Sequence, residues 1–326
     1  MGWIGKLLSG DQAKEAPAPG AKAALPEETA GEPASAAEVD AVYYRWLAAA
    51  GPQAATAETE KQILDELTRL AQSPVDGAAL VPRVPAIIPQ LMRTLRDEDM
   101  NASELSRQLA QDVVLVAEVY REANRPCYRP RYHSSPPVDT IEGAIMLLGQ
   151  NGMRMLLARV AFRPIISMQS GVLAKRTAPL IWRQSEKCAQ AASLLAPSMR
   201  ANAFEAYLAG LMANVGIVVA FRLIYKDEAL PQSDEFIDEL FTQGRILSAR
   251  IAELWEFPAA VTDAIAHAGE PDAPALAQTL ALGDRVSKLR MLVDATKYVH
   301  DDPFVVDGLS KAALACFDKL EDDEDE

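Results

Sequence analysis

The feature that most constrains what this 326-residue chain can fold into is the period of its apolar residues, which is helical wherever it is regular. Val39, Val42, Tyr43, Trp46 and Leu47 fall at i, i+3, i+4, i+7 and i+8. Ile63, Leu64, Leu67 and Leu70 make a second stripe, and Leu115, Val116, Val119 and Tyr120 a third. Further helices are expected over residues 140–148, 151–160, 180–195, 203–225, 235–255, 259–267 and 274–293. No segment alternates with a strict period of two, so no sheet is required. Composition agrees: aromatic residues are only 6% of the chain, and strands draw on aromatic and β-branched side chains. The expected fold class is all-α, a multi-helix bundle.

Punctuation divides the chain into four parts. Residues 1–35 read as a short amphipathic segment (Trp3, Ile4, Leu7, Leu8) followed by an Ala-, Pro-, Glu- and Gly-rich flexible linker. The apolar stripe suits either a docking peptide for a protein groove or a segment that folds back on its own helices. Residues 36–75 read as a helical hairpin, turned at Gly51-Pro52, with Thr56 as the N-cap of its second helix. Residues 80–294 form the main domain, and residues 295–326 a C-terminal helix and an acidic tail. The run 321–326 is entirely Asp and Glu, which repels itself and is expected to be solvated and disordered.

The formal net charge of −14 weighs against DNA binding, which depends on Lys and Arg displacing counterions from phosphates. Cys127, Cys188 and Cys316 are odd in number and form no CxxC pair, as expected of buried or incidental thiols in a reducing compartment. No apolar run is read as a membrane span of about 20 residues, so no stable membrane insertion and a cytoplasmic location are expected. G-x-S-x-G, P-loop and H-E-x-x-H signatures are absent from the sequence.

Several segments, taken in order, resemble one family. Val84-Pro85 opens the match, followed by Gln111-Asp112 and Ala123-Asn124. Residues 140–145 (TIEGAI) lead into residues 148–154 (LGQNGMR). Leu180-Ile181-Trp182-Arg183, residues 206–211 (AYLAGL) and Trp255-Glu256-Phe257-Pro258 complete the pattern. Each motif alone is weak, but their order and spacing together resemble the HDOD domain. That resemblance implies an HD-like helical bundle related to the HD metal-dependent phosphohydrolases, and a role in bacterial signal transduction.

It also implies where a hydrolytic metal would be held. The adjacent His-Asp pair of an HD enzyme corresponds here to Ala213-Asn214. The earlier histidine is matched by Gln184 and a further one by Gly244, so only His267 stands where a late ligand would be. A methyl group cannot ligate a metal, and an amide oxygen is a weaker ligand than a carboxylate. No metal, cofactor or catalytic residue is therefore expected, and Gln184 and Asn214 are expected to satisfy each other or to hold a small polar ligand.

The most distinctive polar segment is the loop carrying Arg125, Tyr128, Arg129, Arg131 and Tyr132. It gathers cations and aromatics in an otherwise acidic chain, a composition common at binding hot spots. The reading this supports is a non-catalytic adaptor whose partners are other signalling proteins. Two alternatives stay open: a nucleotide-sensing domain that takes a phosphorylated small ligand, and a divergent metal-dependent phosphohydrolase.

Overall fold

The computed structural model describes residues 33–48, 54–72, 113–124, 137–167, 172–224 and 230–320. The amphipathic N-terminal segment, the Arg/Tyr loop and the acidic tail lie outside the described residues. Twelve helices are found among those described: α1 (Ala36–Ala48), α2 (Ala57–Gln72), α3 (Val113–Ala123), α4 (Ile141–Ser167), α5 (Val172–Leu195) and α6 (Ala203–Met212). They continue with α7 (Val215–Ile224), α8 (Asp234–Leu254), α9 (Ala259–Ala266), α10 (Ala275–Asp294), α11 (Pro303–Val306) and α12 (Lys311–Lys319). No strand is present among them; one isolated parallel bridge joins Ala54 to Leu230.

The local sequence explains most helix starts. Ser35 and Glu38 form a reciprocal capping box at α1, with Ser35 N donating to Glu38 Oε2 at 2.7 Å and Glu38 N to Ser35 Oγ at 3.2 Å. Thr56 caps α2 by accepting from Thr59 N, Asn202 caps α6, and Ser233 caps α8. The two helices expected over 140–148 and 151–160 are both present in α4, separated by a kink at Gly149, whose φ of 69° only glycine adopts readily. α5 begins at Val172, earlier than expected, and carries Pro179 within it.

The core is built around α5, α6, α8 and α10. α5 packs against both α6 and α10, and α8 against α7 and α9. Trp255, Phe162 and Phe257 make an aromatic cluster under this layer, Phe162 stacking on Trp255 at 6.0 Å between centroids. α1 packs on α10, α8 and α5, and α2 on α8 and α7, so both N-terminal helices bury their apolar faces against the main body. Glu60 of α2 docks there by accepting from Gln232 N, Ser233 N and Ser233 Oγ. At the other end, Phe317 and Cys316 of α12 pack with Val286, Leu289 and Leu195. Lys187 ties this end down by donating to the Leu320 carbonyl at 2.5 Å.

The expected single helix over 203–225 is broken into α6 and α7 at Ala213-Asn214. Ser248 of α8 makes the break possible, donating to the Ala213 carbonyl at 2.7 Å and accepting from Gly216 N at 2.8 Å. One hydroxyl thereby satisfies an orphan carbonyl of α6 and an orphan amide of α7. Residues 203–224 together are long and apolar enough to cross a membrane, contrary to the expectation that no such run exists. In the fold 89% of its most apolar 18-residue window is buried inside the bundle, where its hydropathy serves the core.

A polar cleft closed by an internal ammonium

Two of the five positions singled out by the sequence, Ala213 and Asn214, line one polar cleft, and a third, Gln184, is hydrogen bonded to its wall. Gln184 projects from α5 and is fully buried; Asn214 sits at the α6–α7 break and is 6% exposed. Asn214 Nδ2 donates to Gln184 Oε1 at 2.7 Å. Gln184 Nε2 in turn donates to Asp284 Oδ1 at 2.8 Å and to Ser287 Oγ at 2.9 Å, both on α10. Ala213 lines the same cleft, which encloses about 90 Å3. The two amides thus turn their N–H groups toward one another, a carboxylate and a hydroxyl.

Gly244 lies behind this network at the crossing of α7 and α8. A Cβ on Gly216 would fall 2.0 Å from the Gly244 carbonyl oxygen, and one on Gly244 would fall 2.4 Å from Ile217 Cδ1. At 216 the crossing is closed by backbone contact, whereas a side chain at 244 would have to displace the end of the Ile217 side chain. His267 stands apart from it. It is exposed, and its Nδ1 is hydrogen bonded to the Asp263 carbonyl at 2.9 Å, one turn back in its own helix. The neighbours Ala268 and Gly269 face the cleft instead.

The residue at the centre is Lys288, 2% exposed. Its Nζ donates to Asp284 Oδ2 and to Asp40 Oδ1 at 2.5 Å each, and lies 4.4 Å from the centroid of the Phe241 ring. Burial alone would lower the lysine's pKa; Asp284 and Asp40 outweigh it and push the pKa up, so the ammonium stays charged. Burial raises the Asp40 carboxyl, with Lys288 working against the rise. Burial, then Asp284 and Asp40, also raise the Tyr43 phenol well above its ordinary value.

A hydrolytic metal, which an HD-like fold implies, does not fit this donor set. The two carboxylates of the cleft are already bridged by an ammonium, and the remaining side-chain oxygens belong to amides and the Ser287 hydroxyl. Among the described residues no three His, Cys, Asp or Glu side chains gather as ligands. An ion entering here would have to displace a buried charged lysine from two short contacts.

Sequence reasoning found Gln184, Ala213 and Asn214 but missed Asp284, Lys288 and Asp40. A signal was present in the 274–293 helix: Asp284 and Lys288 are one turn apart (i, i+4), with Ser287 beside them, between the apolar Leu280 and Met291. Asp40 gave a weaker one, a carboxylate next to Val39 and one turn before Tyr43 and Tyr44.

With the fold and the cleft in view, comparison with known proteins is decisive on the family. The family model for the HDOD domain matches residues 81–271. The chain belongs to the HDOD domain family. An uncharacterized protein of Treponema pallidum (strain Nichols) is 23% identical over 227 residues, 65% of this chain; the match spans 42% of that relative's length. Among solved structures, an HDOD domain protein of unknown function from Geobacter sulfurreducens superposes with a TM-score of 0.54 at 19% identity, covering 81% of this chain and 94% of that one. A candidate metal-dependent phosphohydrolase from Shewanella amazonensis SB2B gives the same TM-score at 16% identity, covering 81% and 98%. At these identities the structures show a shared fold. In this HDOD chain Asp284 and Lys288 follow the matched region and Asp40 precedes it, so the cleft network is completed by residues on both flanks.

Proposed function

We propose that this HDOD chain is a non-catalytic bacterial signal-transduction adaptor that works through contacts with other signalling proteins. The observation that carries the reading is Lys288, whose ammonium holds both carboxylates of the cleft where a hydrolytic site needs them for metal. Gln184 and the Asn214 amide N–H are engaged in the same network. These contacts support the reading that no metal-bound hydroxide forms here. The family relationship supports the signalling role, and the Arg125, Tyr128, Arg129, Arg131 and Tyr132 segment is the surface we assign to partner contact on its composition.

The test of the non-catalytic reading is metal analysis of the purified full chain, together with assays of phosphomonoester and phosphodiester hydrolysis in added Mn2+. Neither stoichiometric metal nor turnover is expected. Metal-dependent turnover that disappears in Asp284→Asn would refute it and favour the divergent phosphohydrolase. The adaptor reading is tested separately: Arg125, Arg129 and Arg131 replaced together by Ala should reduce capture of partner proteins while leaving the helical content intact. Unchanged capture would remove the loop from the interface.

A further inference from the structure

The cleft that holds Lys288 also holds two guanidinium groups that its network does not engage. Arg245 of α8 and Arg285 of α10 both line it. Each side chain is partly buried, and the Nε of each is fully buried with no hydrogen-bond partner. Arg285 makes one hydrogen bond, from Nη2 to the Asp307 carbonyl at 3.2 Å. Arg245 makes none to the described residues; its Nη1 lies beside the turn after α9, 3.9 Å from where a Cβ on Gly269 would fall. Buried donors of this kind are ordinarily paired, and leaving one unpaired costs free energy.

The charge balance points to an anion. The lining carries three cations, Arg245, Arg285 and Lys288, against two carboxylates, Asp40 and Asp284, in a chain whose net charge is −14. Burial lowers the Arg285 pKa with no carboxylate opposing it, the direction taken by a cation that leaves water without an anion beside it. A guanidinium presents a planar fork of N–H donors suited to oxyanions. The cleft volume of about 90 Å3 exceeds the ~15 Å3 that one water needs and falls well short of the ~300 Å3 at which small-molecule sites begin. It suits one compact oxyanion and excludes a nucleoside. The carboxylates select among such ions. Asp284 is filled, by Lys288 on Oδ2 and by Gln184 and Asn214 on Oδ1. Asp40 gives only Oδ1 to Lys288, which leaves Oδ2 as an acceptor. An oxyanion that carries a proton can donate to Asp40, and one that carries none is repelled by it. Inorganic phosphate keeps an O–H at neutral pH, whereas sulfate and most of a phosphate monoester do not.

We propose that the cleft binds one inorganic phosphate ion, held by Arg245 and Arg285 and donating its O–H to Asp40. The inference rests on the reading that no metal is held there, so its test is run in EDTA.

Isothermal titration calorimetry of the full chain near neutral pH compares inorganic phosphate, sulfate and AMP. Phosphate should bind saturably at one site, with sulfate and AMP each weaker by at least about tenfold, the scale of one charge-assisted hydrogen bond. Arg245→Gln and Arg285→Gln should each weaken phosphate by at least about tenfold. Ala36→Glu keeps the test independent of folding. Ala36 is exposed at the start of α1 and lines the cleft, so a carboxylate there suits the helix end and should weaken phosphate several-fold with unchanged circular dichroism. Asp40→Asn should narrow the preference for phosphate over sulfate. The proposal is overturned by no saturable phosphate binding at low-millimolar concentration, by sulfate or AMP binding as tightly, by affinity that survives both arginine substitutions and Ala36→Glu, or by an unchanged phosphate-to-sulfate ratio in Asp40→Asn. Absent phosphate binding together with absent Mn2+-dependent hydrolysis would overturn this inference alone. Phosphate that binds only when Mn2+ replaces EDTA would overturn it and the metal-free reading together.

Discussion

Replacing Lys288 by Met is the sharpest perturbation of the cleft. The side chain is 2% exposed and bridges Asp40 and Asp284 through two 2.5 Å contacts. Met fills most of the same space, so the packing against Phe241 is largely kept and the charge is what is lost. Two carboxylates are then left facing each other with no cation between them. Removing one partner of a buried pair costs about 3–5 kcal/mol. The carboxylate side chains of Asp40 and Asp284 are 23% and 26% exposed, so water relieves part of the penalty and the low end, about 3 kcal/mol, is expected. Against a total stability of about 5–15 kcal/mol this is a large fraction.

Urea denaturation followed by circular dichroism measures that loss directly. Adding Asp40→Asn and Asp284→Asn to Lys288→Met removes the stranded charges and should recover most of it, since a neutral set of similar volume is close to isoenergetic with the ion pair. The single variant should also regain stability on acidification. A carboxyl whose pKa is raised in the fold contributes stability below its unfolded value and loses it as pH rises through the folded value. Asp40 is already raised by burial, with Lys288 opposing the rise, so loss of Lys288 raises it further. A loss below about 1 kcal/mol in Lys288→Met, or a triple variant no more stable than the single one, would refute the account of Lys288 as the charge that closes the cleft.

Three further outcomes follow from the same structure. Mn2+ at millimolar concentration should raise the melting temperature of Lys288→Met but not of the parent chain, because only the variant frees two carboxylates for a cation; equal shifts in both would show that the site is not controlled by Lys288. Gly216→Ala should cost about 1–3 kcal/mol or more by overpacking, since its Cβ would lie 2.0 Å from the Gly244 carbonyl oxygen, and a neutral result in urea denaturation would mean that α7 and α8 separate easily. Stability should fall as pH rises above about 9. Burial pushes Cys316 up to about 11 and also raises Cys188, Tyr43 and Tyr44, so the native chain retains protons that the unfolded chain releases. A flat stability profile between pH 8 and 11, measured by urea midpoint, would contradict those environments.

Much of the fold is written locally. Thr56 caps α2 because its hydroxyl reaches an amide three residues on, and Val39, Tyr43 and Leu47 face the core because helical spacing puts them on one side. Such features depend on neighbours within one or two turns, so the sequence alone determines them. It also shows that Gln184, Ala213 and Asn214 offer two neutral amides and a methyl group where imidazole and carboxylate would be the stronger ligands, because side-chain identity is local information.

Tertiary structure decided the rest. Helical periodicity runs unbroken through 203–225, and the break at Ala213-Asn214 exists because Ser248, from a helix later in the chain, satisfies the two backbone groups it exposes. Asp40 and Lys288 are 248 residues apart in sequence, and no periodic pattern links them. Their pairing follows from the packing of α1 on α10, which only the summed burial of many apolar faces selects. The sequence by itself determined that the chain is helical and where most helices lie, because apolar spacing and caps are local. Only the packed bundle decided that a lysine would fill the gap, because a buried charge becomes tolerable at the one place where separate helices bring carboxylates to it.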